Sequence, residues 1–211
     1  MNVFWLGGSA CAGKTTIARH LAATYSLTLY SCDDHFEEHR LRADPARHPH
    51  FSRLMDAPME ELLARPESAQ AAELLRFYQD ELDMVLEDLR RLSGPVLVEG
   101  VGLLPERIAA VGPDPHRALW LIATPEFRRQ AYLRRGPLVR KVLSRCAEPE
   151  EAFIRWMERD DRIARRLASG ARRCGLSVLK VNGRKTVEEM AGIVAERLRL
   201  ATTDSPSPGR A

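Results

Sequence analysis

The chain has 211 residues, of which 45% are hydrophobic and 29% charged, and its formal net charge is only +3. A chain of this size and composition can bury the core of one globular domain. The near balance of charge argues against a dedicated nucleic-acid binder, in which basic residues would clearly outnumber acidic ones.

Strand-like and helix-like segments alternate through the first half of the chain. An apolar run at residues 2–6 predicts a buried strand, and the apolar side chains of residues 14–25 have helical spacing. Residues 27–32, rich in Leu and Tyr, predict a second strand. The four prolines of residues 45–66 predict a loop-like stretch, after which residues 69–92 predict a long amphipathic helix.

The same alternation continues through the second half. Further strands are predicted at residues 96–98, 118–123 and 177–181, and further helices at residues 125–135, 149–169 and 187–200. We expect Gly136 and Gly170 to end the first two of these helices. Alternating strands and helices imply parallel pairing, so we expect a five-stranded parallel α/β sheet with helices on both faces.

Cysteine usage, the opening residues and the length of the apolar runs indicate where in the cell the protein is expected. The cysteines at positions 11, 32, 146 and 174 form no Cys-x-x-Cys pair, which predicts free thiols in a reducing compartment. The opening residues lack the features of a signal peptide, and no apolar run approaches transmembrane length. We therefore expect a cytoplasmic protein without a membrane partner, with a domain over residues 1–200 and a disordered tail over residues 201–211.

The loop after the first predicted strand reads GSACAGKT and matches the phosphate-binding pattern G-x-x-x-x-G-K-[ST] in full. Its backbone N–H groups and the following helix N-terminus suit phosphate oxygens. We expect Lys14 to reach the β- and γ-phosphates and the Thr15 hydroxyl to coordinate Mg²⁺. The predicted nucleotide-binding residues are Gly8, Ser9, Ala10, Cys11, Ala12, Gly13, Lys14, Thr15 and Thr16.

Acidic residues follow the second and third predicted strands. Asp33 and Asp34 lie where a kinase needs a carboxylate that orients or deprotonates its substrate hydroxyl, although they could instead cap the next segment. Glu99 has the position of a Walker B carboxylate and could hold Mg²⁺ through water, or be an acid at a solvated turn. The predicted metal-binding residues are Thr15, Asp33 and Glu99.

Together these segments resemble P-loop kinases of the nucleoside-monophosphate-kinase-like group, which phosphorylate small molecules. The resemblance rests on GSACAGKT, on SCDDHF, on VLVEG and on an arginine-rich segment before the last strand. It implies a three-layer P-loop NTPase fold, ATP and Mg²⁺ as cofactors, and Asp33 as catalytic base or substrate orienter, with Asp34 as its backup. It covers residues 1–36 and 96–200 and does not name the acceptor.

The resemblance also implies a helical lid over residues 125–169 that brings arginines to the transferring phosphate. We favour Arg135 and Arg159, with Arg128 and Arg162 as rivals, and for most arginines of this segment a solvated helix face is the alternative reading.

Residues 36–93 are expected to form the helical substrate-binding insert, and Gly100 and Gly102 to let the substrate approach the backbone. Asn182 is predicted on the adenine side of the nucleotide, although ordinary turn chemistry explains it equally well. His35 and His39 lack a third ligand set, which argues against zinc.

We therefore expect an ATP-dependent kinase, a monomer or homodimer, with a small-molecule hydroxyl acceptor. That acceptor could be a nucleoside, nucleotide, sugar, metabolite or antibiotic. A regulatory P-loop ATPase or GTPase and a non-catalytic nucleotide-binding module are the alternatives. The sequence has no N-K-x-D motif and no D-x-x-G after the third predicted strand, which argues against a GTPase, and the strand-end acids argue against a non-catalytic module.

Overall fold

A computed structural model describes residues 2–200, apart from the side chain of residue 138; the predicted disordered tail lies outside the described residues. Its five strands are β1 (Val3–Gly8), β2 (Thr28–Ser31), β3 (Val96–Glu99), β4 (Ala118–Ala123) and β5 (Ser177–Val181). They form one sheet in the order β2-β3-β1-β4-β5, in which every pairing is parallel. The predicted five-stranded parallel sheet is confirmed.

The helices within the described residues are α1 (Lys14–Tyr25), α2 (Phe36–Arg42), α3 (Pro49–Asp56), α4 (Met59–Ala64), α5 (Glu67–Leu89), α6 (Pro105–Val111), α7 (Pro125–Arg134), α8 (Gly136–Leu143), α9 (Pro149–Arg173) and α10 (Val187–Leu198). Short 3-10 turns lie at Cys32–His35 and Pro115–Arg117. No helix within residues 2–200 is apolar over a length that could cross a membrane.

The stretch predicted to be loop-like is helical from Pro49 onward, while Pro45 lies in a turn as predicted. Pro49 is the first residue of α3, and Pro58 and Pro66 are the N-cap residues of α4 and α5. Proline is tolerated at a helix start because the first N–H groups there have no intrahelical partner. These three prolines therefore mark where the three helices begin.

The predicted end of the helix over residues 125–135 is confirmed, since α7 ends at Arg134. Gly136 also starts a further helix, α8, with Pro137 at its second position, where proline fits. The predicted end at Gly170 was wrong because of packing. Gly170 lies inside α9, where a Cβ atom would come within 2.6 Å of Glu106 Oε1 on α6. A small residue allows this close approach of the two helices, and α9 continues to Arg173.

Apolar residues on both faces of the sheet hold the layers together. Trp5 and Trp120 pack with α5, α6 and α9 on one face, while Leu6 and Leu121 pack with α1 and α10 on the other. Strands covered on both faces are near-continuous in apolar residues, as the inner strands β1, β3 and β4 are. The layers leave the carboxyl ends of the strands open at one edge, where ligands bind in open α/β sheets.

The insert is attached to the sheet through α5. The Asp80 carboxylate accepts hydrogen bonds from the backbone N–H groups of His50 and Phe51, at 2.7 and 3.1 Å, and so caps the start of α3. Phe51 stacks on Phe77 of α5 with ring centroids 4.7 Å apart. These contacts fix α3 against α5.

Candidate active site

The phosphate loop joins β1 to α1 and needs glycine at both of its ends. Gly8 has a φ of 134°, and a Cβ atom there would lie 2.0 Å from Leu121 O. Gly13 has a φ of 79° and precedes the first residue of α1. Both conformations are strained for residues with a side chain, so the two glycines set the path of the loop.

Ser9 and Lys14 fix the interior of the loop. The buried Ser9 hydroxyl accepts a hydrogen bond of 2.9 Å from Ala123 N–H, which ties the loop to the end of β4. Lys14 Nζ donates to Ser9 O at 2.9 Å. Burial lowers the pKa of Lys14, while the negative charges of Glu99 and Asp33 act in the opposite direction. An ammonium has three donors, so two remain for phosphate oxygens.

Glu99 connects the phosphate loop to the ends of β2 and β3. Its Oε1 accepts hydrogen bonds from the Thr15 and Ser31 hydroxyls, each at 2.8 Å, and its side chain is buried. Glu99 therefore lies beside the hydroxyl predicted to bind the metal ion. Ser31 was missed from the sequence because a serine at the end of a strand carries no signal of its own.

The oxygen ligands at this position suit a magnesium ion. Mg²⁺ binds through one or two carboxylates together with substrate phosphates and water, which does not require a dense cluster of protein ligands. Thr15 and Glu99 are in contact, and Asp33 lines the same cavity as Thr15. Within the described residues no group of three or more His, Cys, Asp or Glu forms a metal cluster.

A cavity of about 260 Å³ opens over the phosphate loop. It is lined by Ala10, Cys11, Ala12, Gly13, Lys14, Thr15, Thr16, Asp33, Phe36, Tyr78, Val101, Tyr132 and Arg135. Asp33 comes from the 3-10 turn after β2, and Asp34 next to it is exposed and outside this lining. The structure thus brings Asp33, and not its neighbour, together with the loop.

The arginines that were predicted to act from a lid lie in different environments. Arg135 is exposed, lines the cavity and lies over the Tyr132 ring at 5.8 Å. Arg128 is almost fully buried and pairs with Asp161, which commits it to holding α7 on α9. Arg162 pairs with Glu67 at 2.7 Å. Of these three arginines, Arg135 is the one placed beside the phosphate loop.

Arg159, the remaining candidate, forms an ion pair close to the phosphate cavity. It is buried, and its Nε and Nη2 atoms donate to Asp160 Oδ1 at 2.9 and 2.7 Å. The other oxygen of Asp160 accepts a 2.7 Å hydrogen bond from the Tyr132 hydroxyl. Asp160 therefore links Arg159 to a residue of the phosphate cavity, and neither Asp160 nor Tyr132 was predicted. An aspartate and a tyrosine inside amphipathic helices look like ordinary surface and core residues.

The two glycines after β3 are closely packed. A Cβ atom at Gly100 would lie 2.7 Å from Cys32 Sγ, and one at Gly102 would lie 2.7 Å from Glu81 Oε2. Glu81 is 1% exposed, and burial, with a contribution from Asp33, raises its pKa well above the usual range. The role of Gly100 and Gly102 in substrate binding stays a prediction, because the side chains closest to them are those of Cys32 and Glu81.

Asn182 follows β5 at an exposed position. Its Oδ1 accepts a 3.2 Å hydrogen bond from Arg184 N–H, which is ordinary turn chemistry. The predicted contact with adenine stays a prediction.

The fold is similar to that of solved shikimate kinases. The shikimate kinase from Acinetobacter baumannii, solved in complex with shikimate, has a TM-score of 0.55 at 18% identity, with 94% of each chain covered. The shikimate kinase from Bacteroides thetaiotaomicron has a TM-score of 0.51 at 18% identity, over 94% of this chain and 98% of that chain. No family model and no curated protein matches the sequence. The expected architecture is confirmed as a fold: a five-stranded parallel sheet covered by helices, as in these solved structures.

Proposed function

We propose that the protein is an ATP-dependent kinase that transfers the γ-phosphoryl group to a hydroxyl of a small molecule. The observation that carries this proposal is the shared cavity of the phosphate loop, Asp33 and Arg135. It combines phosphate-binding donors, a carboxylate that can act on a hydroxyl, and a cation for the transferred group. Phosphoryl transfer needs little beyond this positioning and charge stabilisation.

Each group has a role in the transfer. Asp33 orients the acceptor hydroxyl and takes its proton as the acceptor oxygen bonds to the γ-phosphorus and the bond to the ADP oxygen breaks. Lys14 and Arg135 donate to the phosphoryl oxygens. Mg²⁺, held through Thr15 with Glu99 and Asp33 beside it, would neutralise charge on the β- and γ-phosphates.

A second cavity beside Asp33 favours a kinase over a regulatory ATPase. It shares Phe36 and Tyr78 with the phosphate cavity and is lined mostly by residues of the insert. A switch protein that only hydrolyses its nucleotide has no need of a place for an acceptor. A cavity with room for an acceptor next to the phosphate cavity therefore supports transfer to a second molecule.

Nucleotide binding followed by an acceptor screen tests the proposal. We expect the wild-type protein to bind ATP·Mg²⁺ and to transfer labelled γ-phosphate to members of a library of hydroxyl compounds. Lys14→Ala should weaken ATP binding by about 10- to 100-fold, because it removes a charged donor to phosphate. Equal ATP binding by Lys14→Ala, or no binding by the wild-type protein, would contradict the proposed function.

A further inference from the structure

Residues of the insert form most of the lining of a partly open cavity of about 380 Å³ that the phosphate-loop chemistry does not use. Helices α3, α4 and α5 form most of its wall. Its apolar lining includes Leu54, Met55, Met59, Leu62, Leu74 and Phe77. Such a wall offers contact to carbon atoms and few partners to hydroxyl groups.

The energetics of this wall favour an apolar ligand. Each buried CH₂ group gains about 0.8 kcal/mol of transfer free energy, equivalent to about a 4-fold gain in binding. A hydroxyl that loses water without gaining a partner costs free energy instead. A polyhydroxylated acceptor would leave several hydroxyls unpaired here, whereas an aryl or alicyclic body would not.

The positive charge of Arg159 at this cavity is already paired with a carboxylate. Within the described residues, the charged side chain of the lining is Arg159, and its guanidinium is paired with the buried carboxylate of Asp160. A carboxylate on the ligand would compete with Asp160 for this one cation and leave a buried negative charge without a full partner. The cavity therefore favours a neutral ligand.

The position of the cavity relates it to phosphoryl transfer. Phe36 and Tyr78 line both this cavity and the phosphate cavity, and Asp33 lies three residues before Phe36. A ligand body seated against the apolar wall can thus direct a hydroxyl toward the carboxylate.

From these contacts we infer that the acceptor is a neutral alcohol with an aryl or alicyclic body, bound in the cavity between α3, α4, α5 and Arg159. This inference rests on the proposed kinase function for the reaction, and on the cavity itself for the ligand class. Met59 is the residue that tests it best. It lines the cavity and is 43% exposed, so a substitution there is compatible with folding.

The test measures kcat/KM for ATP-dependent phosphorylation of phenylmethanol, 2-phenylethanol, 3-phenylpropan-1-ol and cyclohexylmethanol, with shikimate and glucose as polar counterparts. Binding of the same compounds is followed by saturation-transfer NMR with a non-hydrolysable ATP analogue and Mg²⁺ present. The variants are Met59→Glu, its control Met59→Leu, and Leu41→Glu. Leu41 is 81% exposed on α2 and lies outside this lining, so it controls for an added surface charge.

We expect kcat/KM to rise about 4-fold for each added methylene until the cavity is full. The best neutral alcohol should exceed shikimate and glucose by about 10-fold or more. Met59→Glu should lower both binding and kcat/KM for that alcohol by about 10-fold, whereas Met59→Leu, which keeps the wall apolar, should lower them by much less. Leu41→Glu should remain close to the wild-type protein.

A preference for shikimate or glucose would overturn the inference and leave the kinase function standing. The inference would also fail if none of the neutral alcohols bound, or if Met59→Glu bound them as well as Met59→Leu does. Neutral alcohols that bind in a Met59-dependent way without being phosphorylated would support the ligand class and contradict the kinase function.

Discussion

The Thr15 hydroxyl donates a 2.8 Å hydrogen bond to Oε1 of Glu99, which lies 84 residues further along the chain. The contact exists because β1 and β3 are neighbouring parallel strands whose carboxyl ends reach the same edge of the sheet. It places a carboxylate beside the hydroxyl of the phosphate loop. Under the proposed function, a magnesium ion on a bound nucleotide would be held beside these two groups.

Glu99→Gln should weaken the dependence on magnesium without disrupting the loop. The amide oxygen can still accept from Thr15 and Ser31, but the negative charge is lost. We expect the Mg²⁺ concentration for half-maximal ATP binding to rise by about 10-fold, as measured by titration of metal at fixed ATP. Glu196→Gln, an exposed change on α10, is the matched control. Identical magnesium titrations for the two variants would count against a role for Glu99.

Arg135→Ala should lower turnover more than it lowers ATP affinity. Arg135 lines the phosphate cavity, and a guanidinium there stabilises charge that develops during transfer. We expect kcat to fall by about 100-fold, with the Kd for ATP changed by much less. Arg134→Ala is the control. Arg134 is exposed like Arg135, but its Cζ atom lies 5.7 Å from the centroid of the Phe127 ring. Equal losses of kcat in Arg135→Ala and Arg134→Ala would contradict a role for Arg135 in the transfer step.

Asp88 should make stability depend on acid pH. Burial works to raise its pKa, but hydrogen bonds from Arg42, His39 and Tyr30 outweigh this and lower the pKa to about 2. A depressed carboxyl pKa contributes stability that is present above the ordinary value of 3.8 and is lost as the pH falls toward 2. The contribution amounts to about 2 kcal/mol.

Urea unfolding of the wild-type protein and Asp88→Asn between pH 6 and pH 2 measures this effect. The wild-type protein should be more stable by about 2 kcal/mol at pH 6, and the difference should disappear as Asp88 is protonated. Glu87→Gln, next to it on α5, should show little pH-dependent difference, because its pair with Arg47 is more exposed. A difference that stays constant down to pH 2 would exclude Asp88 as the titrating group.

The sheet and the phosphate loop could be predicted from the sequence because both follow from patterns of neighbouring residues. Apolar runs mark the strands, and the glycines and lysine of the loop stand at fixed spacings. The contact of Ser31 with Glu99 could not be predicted, because it depends on how distant strand ends meet. The same holds for Tyr132 and Asp160, whose hydrogen bond joins α7 to α9.

The insert shows a different limit of sequence reasoning. Its prolines were interpreted as loop residues, whereas Pro49 is the first residue of a helix. A proline pattern alone does not distinguish a loop from a series of short helices that each begin at a proline. The apolar cavity arises from how these short helices pack on α5, and no single segment contains it.

Asp33 carries the central claim, and phosphoryl transfer by Asp33→Asn tests it most directly. The measurement compares turnover with the acceptor found in the screen, together with the Kd for ATP, in the wild-type protein, Asp33→Asn and Asp34→Asn. Asp33→Asn should lower turnover by about 100-fold or more with ATP binding retained, because the amide cannot accept the hydroxyl proton. Asp34→Asn, changed outside the cavity lining, should stay near wild-type turnover. Full transfer by Asp33→Asn would contradict the account.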